Sequence, residues 1–179
     1  FMSINRSLLY RLLEKVIRKK YDESDIEWWL WLWKKVFLHD PTKNCVRVGD
    51  LSLWDKLPAN KSLFTCGEGI GLPIGNPPSH ILANLLMSAF DKWVLSRIGK
   101  SGGYGRYVDD FVVISRDKGL LLDILRDSRS FLFKQLKLTL HPDKVYLQEV
   151  KKGVKFTGAV IKPGIVYAGN ATVQHLFDV

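Results

Sequence analysis

The chain has 179 residues, 46% of them hydrophobic, and a formal net charge of +9. That composition excludes a disordered chain and leaves enough length for one domain with a real core. No apolar run is long enough to span a membrane and no signal peptide opens the sequence, so the basic balance points to nucleic acid, with an anionic membrane second and plain solubility as the bland alternative.

Residues 1–4, FMSI, read as the end of a strand. Asn5 is placed to cap a helix in RSLLYRLLEKVIRKK, where leucines, Val16 and Ile17 recur at helical spacing. Ser24 and Glu27 form a capping-box pattern before WWLWLWKKVFL. Trp28, Trp29, Trp31 and Trp33 lie on that helix. They suit either a base-stacking platform or core packing, and aromatics at helical spacing are expected to be core. Residues 40–70 are rich in Pro and Gly. Within them CVRVGDLSLW alternates around Gly49-Asp50 and predicts a short hairpin. Cys45 and Cys66 are too few for a disulfide scaffold and form no CxxC pair, so free thiols in a reducing cytoplasm are expected. The loop GLPIGNPPS runs into a long helix over HILANLLMSAFDKWVLSRIG. YGRYV and FVVIS are strand-like, residues 117–136 form another amphipathic helix, and LTLHP, KVYLQEV, VKFTGAVI and IVYA read as short strands. NATVQHLFDV reads as a helix that has barely begun. The order gives an α+β fold with an antiparallel sheet packed on helices. With FMSI at one end and NATVQHLFDV at the other, the sequence reads as an internal piece of a longer protein.

Asp109 and Asp110 sit side by side between two strand-like runs. Successive side chains on an extended strand point to opposite faces, so both acids serve one point only if the chain turns there. A tight hairpin with the acids at its tip satisfies this. Adjacent carboxylates suit a divalent cation, Mg²⁺ above all, a hard ion that brings waters and substrate phosphates. Two ions held so clamp both the attacking and leaving oxygens of phosphoryl transfer. The alternative is an exposed turn, where Asp is common.

Tyr107-Val108-Asp109-Asp110 resembles the Y-x-D-D motif of reverse transcriptases. GLPIGNPPS followed by a helix resembles that family's loop at template and incoming nucleotide. LTLHPDKVYLQ resembles the motif after the next helix, with Lys144 as its lysine. VKFTGAVI, with Phe156 and Gly158, resembles the primer-grip hairpin. All four stand in the family's order. The resemblance implies a polymerase palm with partial helical fingers: residues 1–19 the start of the palm and its helix, 20–70 a fingers insertion, 71–165 the palm, and 166–179 the start of the thumb. It also implies an RNA-directed DNA polymerase working by two-metal nucleotidyl transfer with Mg²⁺ (Mn²⁺ as a substitute), on template RNA, a DNA primer and deoxynucleotides. Asp109 and Asp110 would hold the metals. Phe1, Ile74, Gly75, Asn76 and Tyr107 would face template and nucleotide; Arg106, Phe156 and Gly158 would contact primer or backbone.

Most of the family has Gln where Ile74 stands. Ile74, with FMSI, HDPTKN, SLWDKLPANKSLF, HPDKVYLQ and GVKFTGAVIKPG, resembles the reverse transcriptases of diversity-generating retroelements. That implies error-prone copying at adenine, a bacterial or phage origin, a cytoplasmic location and a small basic accessory protein. An Ile offers no hydrogen bond across the template–nucleotide layer, which would loosen discrimination; the alternative is that it packs. Pro77-Pro78-Ser79-His80 departs from that subfamily's Thr-Ser-Gln. The family's third carboxylate would fall about five residues before Phe1, so the 179 residues alone are expected to be inactive. Phe1 is then the candidate sugar gate that excludes a 2′-hydroxyl, or a core residue. Lys144 is a candidate general acid towards pyrophosphate, or else a phosphate contact or solvated charge. Rival readings are a group II intron or retron reverse transcriptase, a degenerate palm that only binds nucleic acid, and a nucleotide cyclase, for which no glycine-rich acidic signature is present.

Overall fold

A computed structural model describes residues 1–58 and 61–177. Six α-helices and five strands follow one another along the described residues: α1 (Arg6–Lys20), α2 (Ile26–Leu38), α3 (Leu51–Asp55), α4 (Pro77–Ile98), β1 (Gly102–Tyr107), β2 (Asp110–Ser115), α5 (Lys118–Phe131), β3 (Val154–Phe156), β4 (Ala159–Lys162), β5 (Ile165–Ala168) and α6 (Asn170–Phe177). Helices and antiparallel strands together make an α+β fold, as expected. The chain forms two compact units, residues 1–92 with 128–139, and residues 93–127 with 140–179.

The first unit is helical. Asn5 caps α1 by accepting from the Leu8 N–H at 2.8 Å. α1 and α2 form a helical hairpin: the Tyr10 hydroxyl donates to the Leu30 carbonyl at 3.1 Å, and the Tyr10 ring meets Phe37 edge-on. Arg6 is almost fully buried. Its guanidinium donates to the His39 carbonyl and faces Asp40 at 3.9 Å, tying the start of α1 to the end of α2. Leu9, Leu30, Phe37, Leu72, Leu86 and Phe90 are among the buried apolar side chains, and Phe90 lies 6.0 Å from Phe131. After α5 a π-turn over Leu132–Leu136 buries Leu132 and Leu136 and stops at Lys137 in the left-handed region.

The second unit carries two separate sheets. β1 and β2 pair antiparallel from Gly102↔Ser115 to Tyr107↔Asp110. β3, β4 and β5 form an antiparallel meander. The β3–β4 loop is Thr157-Gly158, both at positive φ, as a type I′ turn demands.

Five sequence expectations are corrected. Residues 45–54 form no hairpin: Asp50 caps α3 instead, its carboxylate accepting from the Ser52 N–H at 2.9 Å. The capping box at Ser24 does not form. Asp25 stands at the N-cap of α2 and accepts from the Tyr21 hydroxyl and Trp29 Nε1, while Glu27 turns to Arg18. The tryptophans of α2 are not core: Trp28, Trp29 and Trp31 are exposed, and only Trp33 is half-buried, edge-on to Phe37. LTLHP and KVYLQEV find no strand partner; Pro142, with no N–H to give a ladder, opens a 3₁₀ turn over Pro142–Lys144, and a second covers Val150–Lys152. FMSI is a turn rather than a strand end, closed by the Ile4 N–H on the Phe1 carbonyl, with one isolated bridge from Asn5 to Ile70.

Candidate active site

The β1–β2 hairpin turns in two residues, Val108 and Asp109, closed by the Tyr107↔Asp110 pair. Both aspartates are therefore at its tip, and both are exposed. Tyr107 stands opposite Asp110 and so shares its face of the ribbon. Val108 has φ +54°, a conformation that costs a β-branched residue energy and is normally left to Gly. Arg106 helps to hold it: its Nη1 donates to the Val108 carbonyl at 2.6 Å. The carboxylates are thus presented on a turn pinned from its own strand. Beneath the tip, on the face opposite Asp110, Tyr104 and Phe111 are diagonal neighbours at 6.4 Å.

Adjacent, solvent-facing carboxylates are an oxygen-only donor set. That fits Mg²⁺ or Mn²⁺, which would take Asp109 and Asp110 as ligands and fill the remaining positions with water or phosphate oxygens. No three His, Cys, Asp or Glu among the described residues gather into a metal-binding group.

The glycine-rich loop belongs to the first unit. Gly75 has φ +85°, the Asn76 carbonyl accepts from the Ser79 N–H at 2.9 Å, and Pro77 and Pro78 open α4, where missing N–H groups cost nothing. Ile74 is 67% exposed, so it presents its side chain rather than packing it. Phe1 lies at this loop. Its carbonyl accepts from the Leu72 N–H at 3.2 Å, and its ring meets His80 edge-on at 5.1 Å. Four expected residues of this unit, Phe1, Ile74, Gly75 and Asn76, therefore sit on one loop and its flank. His80 joins them through a ring contact with a residue 79 positions earlier in the chain, which no local pattern signals.

Lys144 ends the 3₁₀ turn and is exposed. Phe156 ends β3, paired with Ala159. Gly158, at φ +79°, offers its carbonyl to the Gly169 N–H and the Thr172 hydroxyl, each at 2.8 Å, fastening the start of α6 to the hairpin. Sequence reasoning missed the Arg106–Val108 bond and the role of Gly102, where a Cβ would meet the Ile114 carbonyl at 2.2 Å.

No helix among the described residues is long and apolar enough to cross a membrane. No curated protein is similar enough to match the chain. The family model described as reverse transcriptase (RNA-dependent DNA polymerase) matches residues 20–161, taking in the loop, the aspartate hairpin, Lys144 and the β3–β4 hairpin. The chain belongs to the reverse transcriptase family.

Proposed function

We propose that the protein is the RNA-directed DNA polymerase of a diversity-generating retroelement. The observation that carries the polymerase reading is the pair Asp109-Asp110 on the two-residue β1–β2 turn, within a chain that matches the reverse transcriptase family. Two Mg²⁺ ions, when bound, would supply the positive charge that activates a primer 3′-hydroxyl and stabilises leaving pyrophosphate. Asp109 is the main ligand and Asp110 the supporting one. Arg106 fixes the turn that orients both. Lys144 offers a proton or a charge to the leaving group. Phe156 and Gly158 shape the hairpin that holds the primer end, and Phe1 borders the sugar. Template RNA, a DNA primer and deoxynucleotides are the substrates, with a small basic accessory protein as partner in a bacterial or phage-infected cytoplasm.

Ile74 supports the subtype. At 67% exposure it meets whatever the loop binds with a branched apolar surface and no hydrogen bond. Primer extension by the natural gene product on an RNA template tests both levels. Asp109→Asn is expected to lower incorporation about 10²–10³-fold, as loss of a charge-stabilising group does. Ile74→Gln is expected to lower misincorporation opposite adenine several-fold. Asp109→Asn at wild-type rate overturns the polymerase assignment; unchanged errors in Ile74→Gln leave the polymerase and favour a group II intron or retron type.

A further inference from the structure

The outward face of α2 is chemistry that the polymerase reading does not use. The helix buries Leu30 and Phe37 on one side. On the other, Trp28 is 54% and Trp31 55% exposed, with Val36 and Leu38 also open to solvent. At 3.6 residues per turn, Trp28, Trp31 and Lys35 fall within about 60° of one another. Indoles left in water in such numbers mark a contact surface.

Charge decides what fits there. Lys35 lies over the Trp31 ring at 5.9 Å, and Lys34 is exposed beside it. Glu27, the single acid of α2, is taken by Arg18, which also binds Glu14 at 3.0 Å. The Arg18 guanidinium holds the Glu27 carboxyl below the usual carboxylate range. Because that pair crosses from α1 to α2, the α1 stripe bearing Arg18 flanks this side of the helical hairpin, and it carries Arg11 and Lys15 as well. Arg11, Lys15, Lys34 and Lys35 are in no ion pair among the described residues. Asp22, Glu23 and Asp25 form an acidic turn before Trp28 and bound the surface at that end. An apolar peptide would use the indoles and leave the cations idle. A duplex would use the cations and leave the indoles idle, since its bases already stack on each other. A single strand uses both, bases on indoles and phosphates on amines.

We propose that the outer side of the α1–α2 hairpin is a docking platform for single-stranded nucleic acid, with unpaired bases stacked on Trp28 and Trp31 and phosphates on Lys34, Lys35, Arg11 and Lys15. It rests on the family reading only in that the chain handles nucleic acid. The probes are fluorescently labelled 12-nucleotide oligo(U) and oligo(dT), with a 12-base-pair duplex as control, titrated into the natural gene product. Trp28→Ala/Trp31→Ala is expected to weaken single-strand binding at least tenfold, and Trp28→Phe/Trp31→Phe to restore most of it. Lys34→Ala/Lys35→Ala is expected to reduce the salt slope of binding by about 1.4. Oligo(U) and oligo(dT) binding alike marks a platform blind to the sugar; a preference for oligo(U) marks the template strand. Circular dichroism checks that each variant keeps its helices. Wild-type affinity and salt slope in both double-alanine variants overturn the platform. So does loss of self-association or of a protein complex in Trp28→Ala/Trp31→Ala with oligonucleotide binding intact, which makes the face a protein interface. Binding that persists in a protein unable to extend a primer would refute the polymerase reading and leave the platform standing.

Discussion

Gly102 and Gly103 are neighbours in β1, and the structure assigns them opposite responses to the same change. A Cβ on Gly102 would lie 2.2 Å from the Ile114 carbonyl oxygen and 2.6 Å from Cδ1 of buried Ile98. Non-bonded carbon contacts sit near 3.5–4 Å, so the strands would have to part by roughly 1 Å and the Ile98 side chain give way as well. Overpacking of this kind costs about 1–3 kcal/mol, and the rigid backbone partner puts Gly102→Ala at the upper end, about 2–3 kcal/mol. A Cβ on Gly103 would meet nothing within 4 Å. Gly103→Ala removes only backbone freedom of the unfolded chain and should stabilise by about 0.5 kcal/mol or leave stability unchanged. With a urea m-value of ~2 kcal/mol/M, the Gly102→Ala midpoint should fall by about 1 M or more, and the Gly103→Ala midpoint should hold or rise by about 0.2 M. The ladder that Gly102 starts ends at Tyr107↔Asp110, so primer extension by the natural gene product should fall in the first variant and persist in the second. Equal midpoints in the two variants would refute the close approach of Ile98 and Ile114 to Gly102.

Two further outcomes follow from named contacts. Asp50 accepts from the Ser52 N–H, and that bond first of all, with the Ser52 hydroxyl second, holds its carboxyl below the usual value. A lowered folded value means that the cap's contribution is present above about pH 3.9 and lost as pH falls through the folded value. The Ser52 amide resonance should therefore move on acidification in the wild type and stay put in Asp50→Asn, which caps without titrating; movement in both would sink the assignment. His80 meets Phe1 edge-on, a contact of a kind worth about 0.5–1.5 kcal/mol; on the proposal that Phe1 borders the sugar, His80→Ala in the natural gene product should raise ribonucleotide over deoxyribonucleotide incorporation about 2–10-fold, with His80→Phe restoring selectivity. An unchanged ratio would count against that role of Phe1 or its positioning by His80.

What the sequence disclosed was whatever is decided within a few residues. The acid-tipped hairpin was legible because YGRYV and FVVIS are both strand-like and the pair between them has to turn. The Asn5 cap is equally local. The strain at Val108 was not legible, since a β-branched residue argues against positive φ, and the bond that holds it there comes from the side chain of Arg106. Two of the failures, the cap at Ser24 and the tryptophans of α2, share a physical cause, a partner that lies elsewhere in the chain. The failure over 45–54 is local: the alternation about Gly49-Asp50 reads as a hairpin, but Asp50 accepts from the Ser52 N–H and caps α3 where the second arm should run, and Val46 and Val48 stay open to solvent. Ser24 and Glu27 satisfy the capping pattern, yet Arg18, nine residues back, offers Glu27 two nitrogens where the cap offers one N–H. α2 is apolar almost all round, so its sequence alone does not say which side is covered; the α1 contacts at Tyr10 choose Leu30 and Phe37 and leave Trp28 and Trp31 outward. Apolar periodicity therefore overstates burial wherever a helix has more apolar faces than neighbours. The surplus face is where to look for a ligand, and in this chain it is the face that also carries the lysines.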